Sequence, residues 1–213
     1  MKNLIIVGAR GWGREVYRLA TTCAAYRRGE FVVKGFLDSD FRLFDDLRNN
    51  YPPILGDVET YQIQPNDIFF VALGDPKWRK HYADIIESHG GHFMTIICDD
   101  ALVTPNARIG EGTLISHHVM ISDNVSVGKH VMVHPFSILS HDVIVKDNVS
   151  LESYVFLGGH AIVGEGTMMH VRSTLLRKKC VGDNVEVGAH SVVIRNVKDG
   201  LHVFGCPAQV VDY

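Results

Sequence analysis

The chain has 213 residues, 46% of them hydrophobic, and a formal net charge of −3. That is enough for one large or two modest domains with a sizeable core, and it argues against a nucleic-acid or other polyanion partner. Cys23, Cys98, Cys180 and Cys206 lie far apart with no CxxC pair, so neither a zinc knuckle nor a disulfide framework is expected and a reducing compartment fits.

The first apolar run, residues 4–7, is too short for a secretory h-region, and no other stretch is long enough to span a membrane. A cytoplasmic protein with no membrane partner is therefore expected. The run reads as a buried strand entering Gly8-Ala9-Arg10-Gly11-Trp12-Gly13. Residues 14–25 then read as a helix with Val16, Leu19, Ala20 and Cys23 on one face. Residues 31–37 read as a second strand, ending at Asp38. Strand, glycine-rich turn, helix, strand and acid make half of a nucleotide-binding βαβ design. The glycines let the backbone approach a phosphate, and the helix N-terminus offers N–H groups and a positive dipole end. The spacing is GxxGxG rather than the dinucleotide GxGxxG, so NAD is not expected. A plain tight turn with a surface Asp is the bland alternative.

Residues 45–61 read as irregular around Pro52-Pro53, with a short strand at Ile54-Leu55. Residues 68–73 read as a strand ending at Gly74-Asp75-Pro76, residues 78–88 as a helix, and residues 93–97 as a last strand. Residues 1–97 thus form a small α/β domain of four or five strands. Loops 8–13, 38–40 and 74–79, at the carboxyl ends of its strands, should line one crevice. No flexible linker follows, so the next domain is expected to pack against it.

From position 103 to position 193 every sixth residue is apolar, without interruption. Two residues before each lies a second column, mostly small or β-branched, with Lys179 its one clear exception. At 3.6 residues per turn a helix would scatter such positions around its surface, whereas a stack of short strands with a corner every six residues aligns them. The pattern predicts a parallel β-helix. It gives out at residues 196–200, and residues 203–208 read as a closing strand.

The repeat resembles that of the hexapeptide acyltransferases. The whole order is similar to the sugar acetyltransferases of the PglD and NeuD type, over essentially the full chain. The motifs are GAxGxG (residues 8–13), FLD (36–38), ALGD (72–75), SHD (140–142) and GxPA (205–208). The resemblance implies an α/β Rossmann-like domain (1–97) that binds a nucleotide sugar. A left-handed β-helix (98–213) of triangular section would follow, each coil being three hexads. It further implies a homotrimer with active sites between subunits, transferring acetyl from acetyl-CoA, as cosubstrate, to a nucleotide-linked 4-amino sugar. Transfer to a sialic-acid-type hydroxyl is the alternative. No metal is expected.

Acetyl transfer needs a base, donors for the tetrahedral oxyanion and two substrates held together. Of the many histidines in the repeat, His141 aligns with the family's base, and Asp142 would orient its imidazole. His160 lies eighteen residues after Asp142 and would stack on it as a support. His134 and His170, with Glu152 between them, read as an outer ladder or a trimer-axis contact or, less simply, a metal site. By resemblance the coenzyme arm runs past Ser150, Gly158, Gly159, Val171, Gly188 and Ala189, and Arg177-Lys178-Lys179 either meets its phosphates or is solvated. The sugar nucleotide would meet Gly8, Gly11, Trp12, Gly13, Asp38, Gly74, Asp75 and Arg79. Three positions depart from the family: Trp12 and Ser150 each replace a His, and Gln209 replaces a basic residue. A histidine-zinc hydratase on the same fold would need a His-x4-His step, which is missing, and a binding protein without activity would have little use for His141-Asp142.

Overall fold

The computed structural model describes residues 1–45 and 51–211. Part of the irregular stretch expected at 45–61, residues 46–50, lies outside them. The chain divides into two compact units, Met1–Ile96 and Ile97–Tyr213.

The first unit is built on a parallel sheet of order β3-β2-β1-β4, with β1 Lys2–Val7, β2 Phe31–Leu37, β3 Ile54–Gly56 and β4 Asp67–Val71. The strand expected at 93–97 reduces to a parallel bridge, Phe69 to Phe93, and a separate two-residue strand at Ile96–Ile97. The first helix, α1, is Gly11–Thr22, three residues earlier than expected, and α2 Ala24–Arg27 follows after a break at Cys23. Glycines normally argue against helix, yet Gly11 and Gly13 sit in the first turn of α1. The reason at Gly13 is steric: a Cβ there would lie 1.8 Å from the Gly8 carbonyl oxygen. The third helix, α3 Pro76–Ser88, also begins early. Pro76 opens it, where a missing N–H costs nothing, and Asp75 caps it, accepting from Lys77 N–H (2.8 Å) and Trp78 N–H (3.4 Å). Val16 and Ala20 of α1 are buried, and Ala83 and Ile86 of α3 pack with Ile5, Val7, Phe69 and Val71 of the sheet.

The second unit is a left-handed β-helix. Sixteen two-residue strands run from Leu102–Val103 to Val192–Val193, and each ends on one residue of the period-six apolar column. Pairing is parallel between residues eighteen apart, as in Val127 with Val145 and Leu139 with Leu157, so one coil is three hexads and the strands form three sheets. The column residues make one buried core. Three polar members of the second column, Thr113, Ser137 and Thr167, bond to backbone at the corners. Thr113 Oγ1 donates to the Gly128 carbonyl (2.9 Å) and accepts from Val131 N–H (3.1 Å). Ser137 and Thr167 repeat that pattern. A hydroxyl here satisfies backbone groups that would otherwise be buried unpaired. His202–Phe204 closes the solenoid by pairing with Glu186–Val187, and Gln209–Val210 returns antiparallel to it.

The corners leading into the third and every later solenoid strand share one backbone. From Gly112 to His190 each sixth residue takes a left-handed conformation, φ 53° to 68°. Asn and Asp tolerate that region; Phe136, Tyr154, Arg172 and Lys178 do not favour it. Stacked strands above and below hold the corner whatever residue occupies it.

Candidate functional site

Within the first unit, the carboxyl ends of β1, β2 and β4 open onto a cavity of about 340 Å³. Of the residues expected to contact a nucleotide, Gly8, Trp12, Gly13, Asp38 and Gly74 line it. Arg10 and Ser39, within the loops expected to line the crevice, also line it, and so do Asp57, Val58 and Tyr82, which were not anticipated. Arg10 and Ser39 adjoin motif residues. Asp57 comes from an irregular stretch and Tyr82 from the middle of α3, where no local pattern distinguishes them. Asp38 and Asp57 line the cavity together with Trp12 and Gly13 of the first turn of α1, to which Arg10 at the N-cap gives no side-chain bond. Burial pushes the Tyr82 hydroxyl pKa up, and the charges of Asp57, Glu59 and Asp38 add to the shift.

Three expected contacts have structural employment. The N–H of Gly8 donates to the Leu37 carbonyl (2.8 Å), so this glycine, at φ +93°, makes the turn. Asp38 braces the same turn, accepting from Ala9 N–H (2.9 Å) and Asp40 N–H (3.1 Å) while still facing the cavity. Arg79 does not line the cavity. It is fully buried and donates to the carbonyls of Leu73 (2.9 Å) and Gly74 (3.2 Å), holding the turn after β4. Desolvation pulls its pKa down to about 9 against the opposing charge of Asp75, which leaves it cationic at neutral pH. Gly11 opens α1 and Asp75 caps α3; neither lines the cavity.

In the second unit, His141 and Asp142 sit at one corner of the β-helix. Asp142 is a left-handed corner residue (φ 60°), so the residues one coil either side of it, Asn124 and His160, hold the equivalent corner. Asn124 Nδ2 donates to Asp142 Oδ1 (2.7 Å), Asp142 Oδ2 lies 2.7 Å from His141 Nδ1, and His160 Nε2 is 3.7 Å from the same oxygen. The two imidazoles meet edge to face, with centroids 5.1 Å apart. The hydrogen bonds from His141, then from Asn124, hold the Asp142 carboxyl below the usual carboxylate range. An ionised carboxylate can only accept, so Nδ1 of His141 carries a proton, and in the neutral ring Nε2 then keeps its lone pair. Gly159 leaves room for that ring: a Cβ there would stand 2.7 Å from Nε2.

Asn124 gives a direct test of this electrostatic account. Asn124→Ala is expected to raise the Asp142 pKa toward the ordinary value of about 3.9, read by NMR titration of the carboxyl carbon. Because the folded-state value is depressed, the stability from this group is present above the unfolded pKa and is lost as pH falls through the folded one. The variant should shift that loss to higher pH; an unmoved titration would show that Asn124 does not hold the carboxylate.

The residues expected along a coenzyme arm divide. Ser150 is 3% exposed, and its N–H is bonded to the Thr167 carbonyl. Val171 is likewise engaged, its N–H with Glu152 Oε2 (2.9 Å) and its carbonyl with His190 N–H. Gly158 and Gly188 donate to Leu175 and Val203. The N–H groups of Gly159 and Ala189 have no acceptor among the described residues. His170 lies between two carboxylates, Nδ1 3.3 Å from Glu152 Oε2 and Nε2 2.7 Å from Glu186 Oε1. Its nitrogens face opposite partners and do not converge with Glu152 on one ion, which favours the ladder over the metal site.

Residues 3–86 match the family model of the PglD N-terminal domain. Over 116 residues, 54% of this chain, the sequence is 31% identical to a UDP-N-acetylbacillosamine N-acetyltransferase of Bacillus subtilis (strain 168), covering 51% of it. Over 111 residues, 51% of this chain, it is 29% identical to a serine acetyltransferase of Synechococcus elongatus, covering 41%. The chain thus spans about half the length of the curated relatives it matches. Among solved structures, the acetyltransferase domain of PglB from Neisseria gonorrhoeae is 26% identical with a TM-score of 0.87, covering 99% of this chain and 100% of that one. The same domain solved with acetyl coenzyme A is 25% identical with a TM-score of 0.87, covering 99% of each chain. PerB from Caulobacter crescentus, in complex with CoA and GDP-perosamine, is 24% identical with a TM-score of 0.88 over 100% of this chain and 98% of that one, a likeness of fold.

Proposed function

The chain has the two-part build of the PglD/NeuD-type sugar acetyltransferases, and on that premise we propose that it is an acetyl-CoA-dependent N-acetyltransferase acting on a nucleotide-linked 4-amino sugar. The observation that carries the reading is the His141–Asp142 pair. One imidazole nitrogen is tied to an ionised carboxylate, and the other is open beside a glycine. The sugar amine attacks the thioester carbonyl, forming the C–N bond, and His141 Nε2 takes the amine proton. The Gly159 N–H, which has no acceptor among the described residues, is the donor this reading assigns to the oxyanion. Collapse of the tetrahedral intermediate breaks the C–S bond, and the proton on His141 passes to the departing thiolate.

Support for a nucleotide comes from the first unit: a cavity at the strand carboxyl ends, the α1 N-terminus for phosphate oxygens, and Asp38 and Asp57 as acceptors for ribose or base. A homotrimer with sites between subunits, and a cytoplasmic location, belong to the same reading. No helix among the described residues is long and apolar enough to cross a membrane.

The test is thiol release from acetyl-CoA with UDP-, GDP- and dTDP-linked 4-amino sugars and free sialic acid as acceptors. Turnover with one nucleotide amino sugar is expected. Turnover with sialic acid alone would move the reading to O-acetylation, and silence across the panel would overturn it.

A further inference from the structure

The corner that carries the base has a property that acetyl transfer does not use. His141, Asp142 and His160 each offer a ligand atom, all within 4.8 Å of one another, and among the described residues no other trio of His, Cys, Asp or Glu converges in this way. We propose that these three side chains form a site for one divalent transition-metal ion, zinc above all, and that its occupancy switches the enzyme off. Binding rests on the geometry alone; the effect on turnover rests on the acetyl-transfer reading.

The arrangement suits such an ion in three ways. Two imidazoles and a carboxylate are the donors zinc prefers, and a fourth position open to water completes its tetrahedron. The separations of Asp142 Oδ2 from His141 Nδ1 (2.7 Å) and from His160 Nε2 (3.7 Å) bracket the ~3.3 Å edge of a tetrahedron with metal–ligand bonds of ~2.0 Å. The carboxylate is already oriented, because Asn124 holds Oδ1 and leaves Oδ2 to the imidazoles; such outer support is what metal ligands ordinarily need. Both rings are exposed, so an ion reaches them from solvent without any opening of the fold.

Coordination would disable the base by moving a proton. In the metal-free pair the one proton of neutral His141 sits on Nδ1. A metal at Nδ1 takes that position, and the proton relocates through solvent to Nε2 with no net release. Nε2 is then a donor and cannot accept a proton from an attacking amine. The metal also neutralises the Asp142 charge that favours an imidazolium.

The test uses the full chain, stripped with a chelator. Zinc uptake is measured by equilibrium dialysis, cobalt coordination by visible absorption, and acetyl transfer by product mass, because zinc also binds the CoA thiol. One zinc per chain, a cobalt spectrum of low coordination number and reversible loss of turnover are expected. In His160→Gln, affinity should fall ~10-fold or more, and the zinc concentration that halves that variant's own metal-free rate should rise in step. His170→Gln should bind zinc as the unmodified protein does. Zinc uptake unchanged in both His160→Gln and His141→Asn would overturn the site. Stoichiometric binding without loss of turnover would overturn the switch. A stripped protein that acetylates nothing would instead sink the acetyl-transfer reading, while dialysis and the cobalt spectrum would still decide the site.

Discussion

His141→Ala is expected to lower the turnover number by about 10²–10⁴-fold, with little change in the KM for either substrate and none in the thermal unfolding midpoint. Each part of that expectation has a separate cause. His141 is 59% exposed on the side chain and packs into no core, so its removal leaves the β-helix intact. Its Nε2 acts on a proton that becomes acidic only as the amine attacks, so the lost interaction belongs to the transition state rather than to binding. Asp142→Asn should impair turnover in the same direction: its carbonyl would take the Asn124 bond and turn the N–H2 toward His141 Nδ1, favouring the wrong tautomer. Steady-state kinetics of acetyl transfer check both. A loss below tenfold in His141→Ala would remove this residue from the role of base.

Gly13→Ala is expected to destabilise the first unit by roughly 3 kcal/mol, the upper end of ordinary overpacking, and to weaken nucleotide binding with it. The added Cβ would lie 1.8 Å from the Gly8 carbonyl oxygen and 2.8 Å from its carbon, so α1 and the β1 turn must separate. That turn forms part of the cavity wall, through Gly8, Arg10 and Trp12. Gly11→Ala, two residues away in the same motif, supplies the contrast. Its Cβ would meet only Arg14 Nη2, at 4.0 Å, and should leave stability nearly unchanged. Thermal unfolding of the two variants side by side, with calorimetric binding of UDP and GDP, is the measurement. Equal effects would show that the glycines serve turn flexibility in general and not one close approach.

The contrast bears on how much of the molecule is legible without coordinates. Periodicity carried the fold: the second residue of every solenoid strand is a member of the period-six column. That signal is strong because each coil must bury the same inward position, so the repeat is written sixteen times over. The eighteen-residue stacking that placed His160 on Asp142 followed from the expected three-hexad coil, and their 3.7 Å separation agrees with it. Element ends were less legible. Both helices start earlier than their apolar pattern suggests, because glycine in α1 answers a packing demand from Gly8 and proline in α3 opens the helix instead of blocking it.

Arg79 marks a different limit. By resemblance Arg79 reads as part of the sugar-nucleotide pocket, and nothing local says that its guanidinium turns inward to two carbonyls. Asp57 and Tyr82 mark the converse, cavity residues brought in from a stretch with no periodicity and from the interior of a helix.

The sequence by itself determined the two-part architecture, the hexad register and the glycine-rich turn, while the pairing of His141 with Asp142 came from the family resemblance. The first three are local or periodic, and short-range sterics and repeated burial write them directly into residue order. Only the tertiary structure decided that the corners from Gly112 to His190 share a left-handed backbone, that Asn124 Nδ2 holds Asp142 Oδ1, and which polar side chains are spent on the backbone. Those depend on atoms eighteen or more residues apart being brought within hydrogen-bond reach, and a chain read in order carries no distance across coils until the coils are stacked.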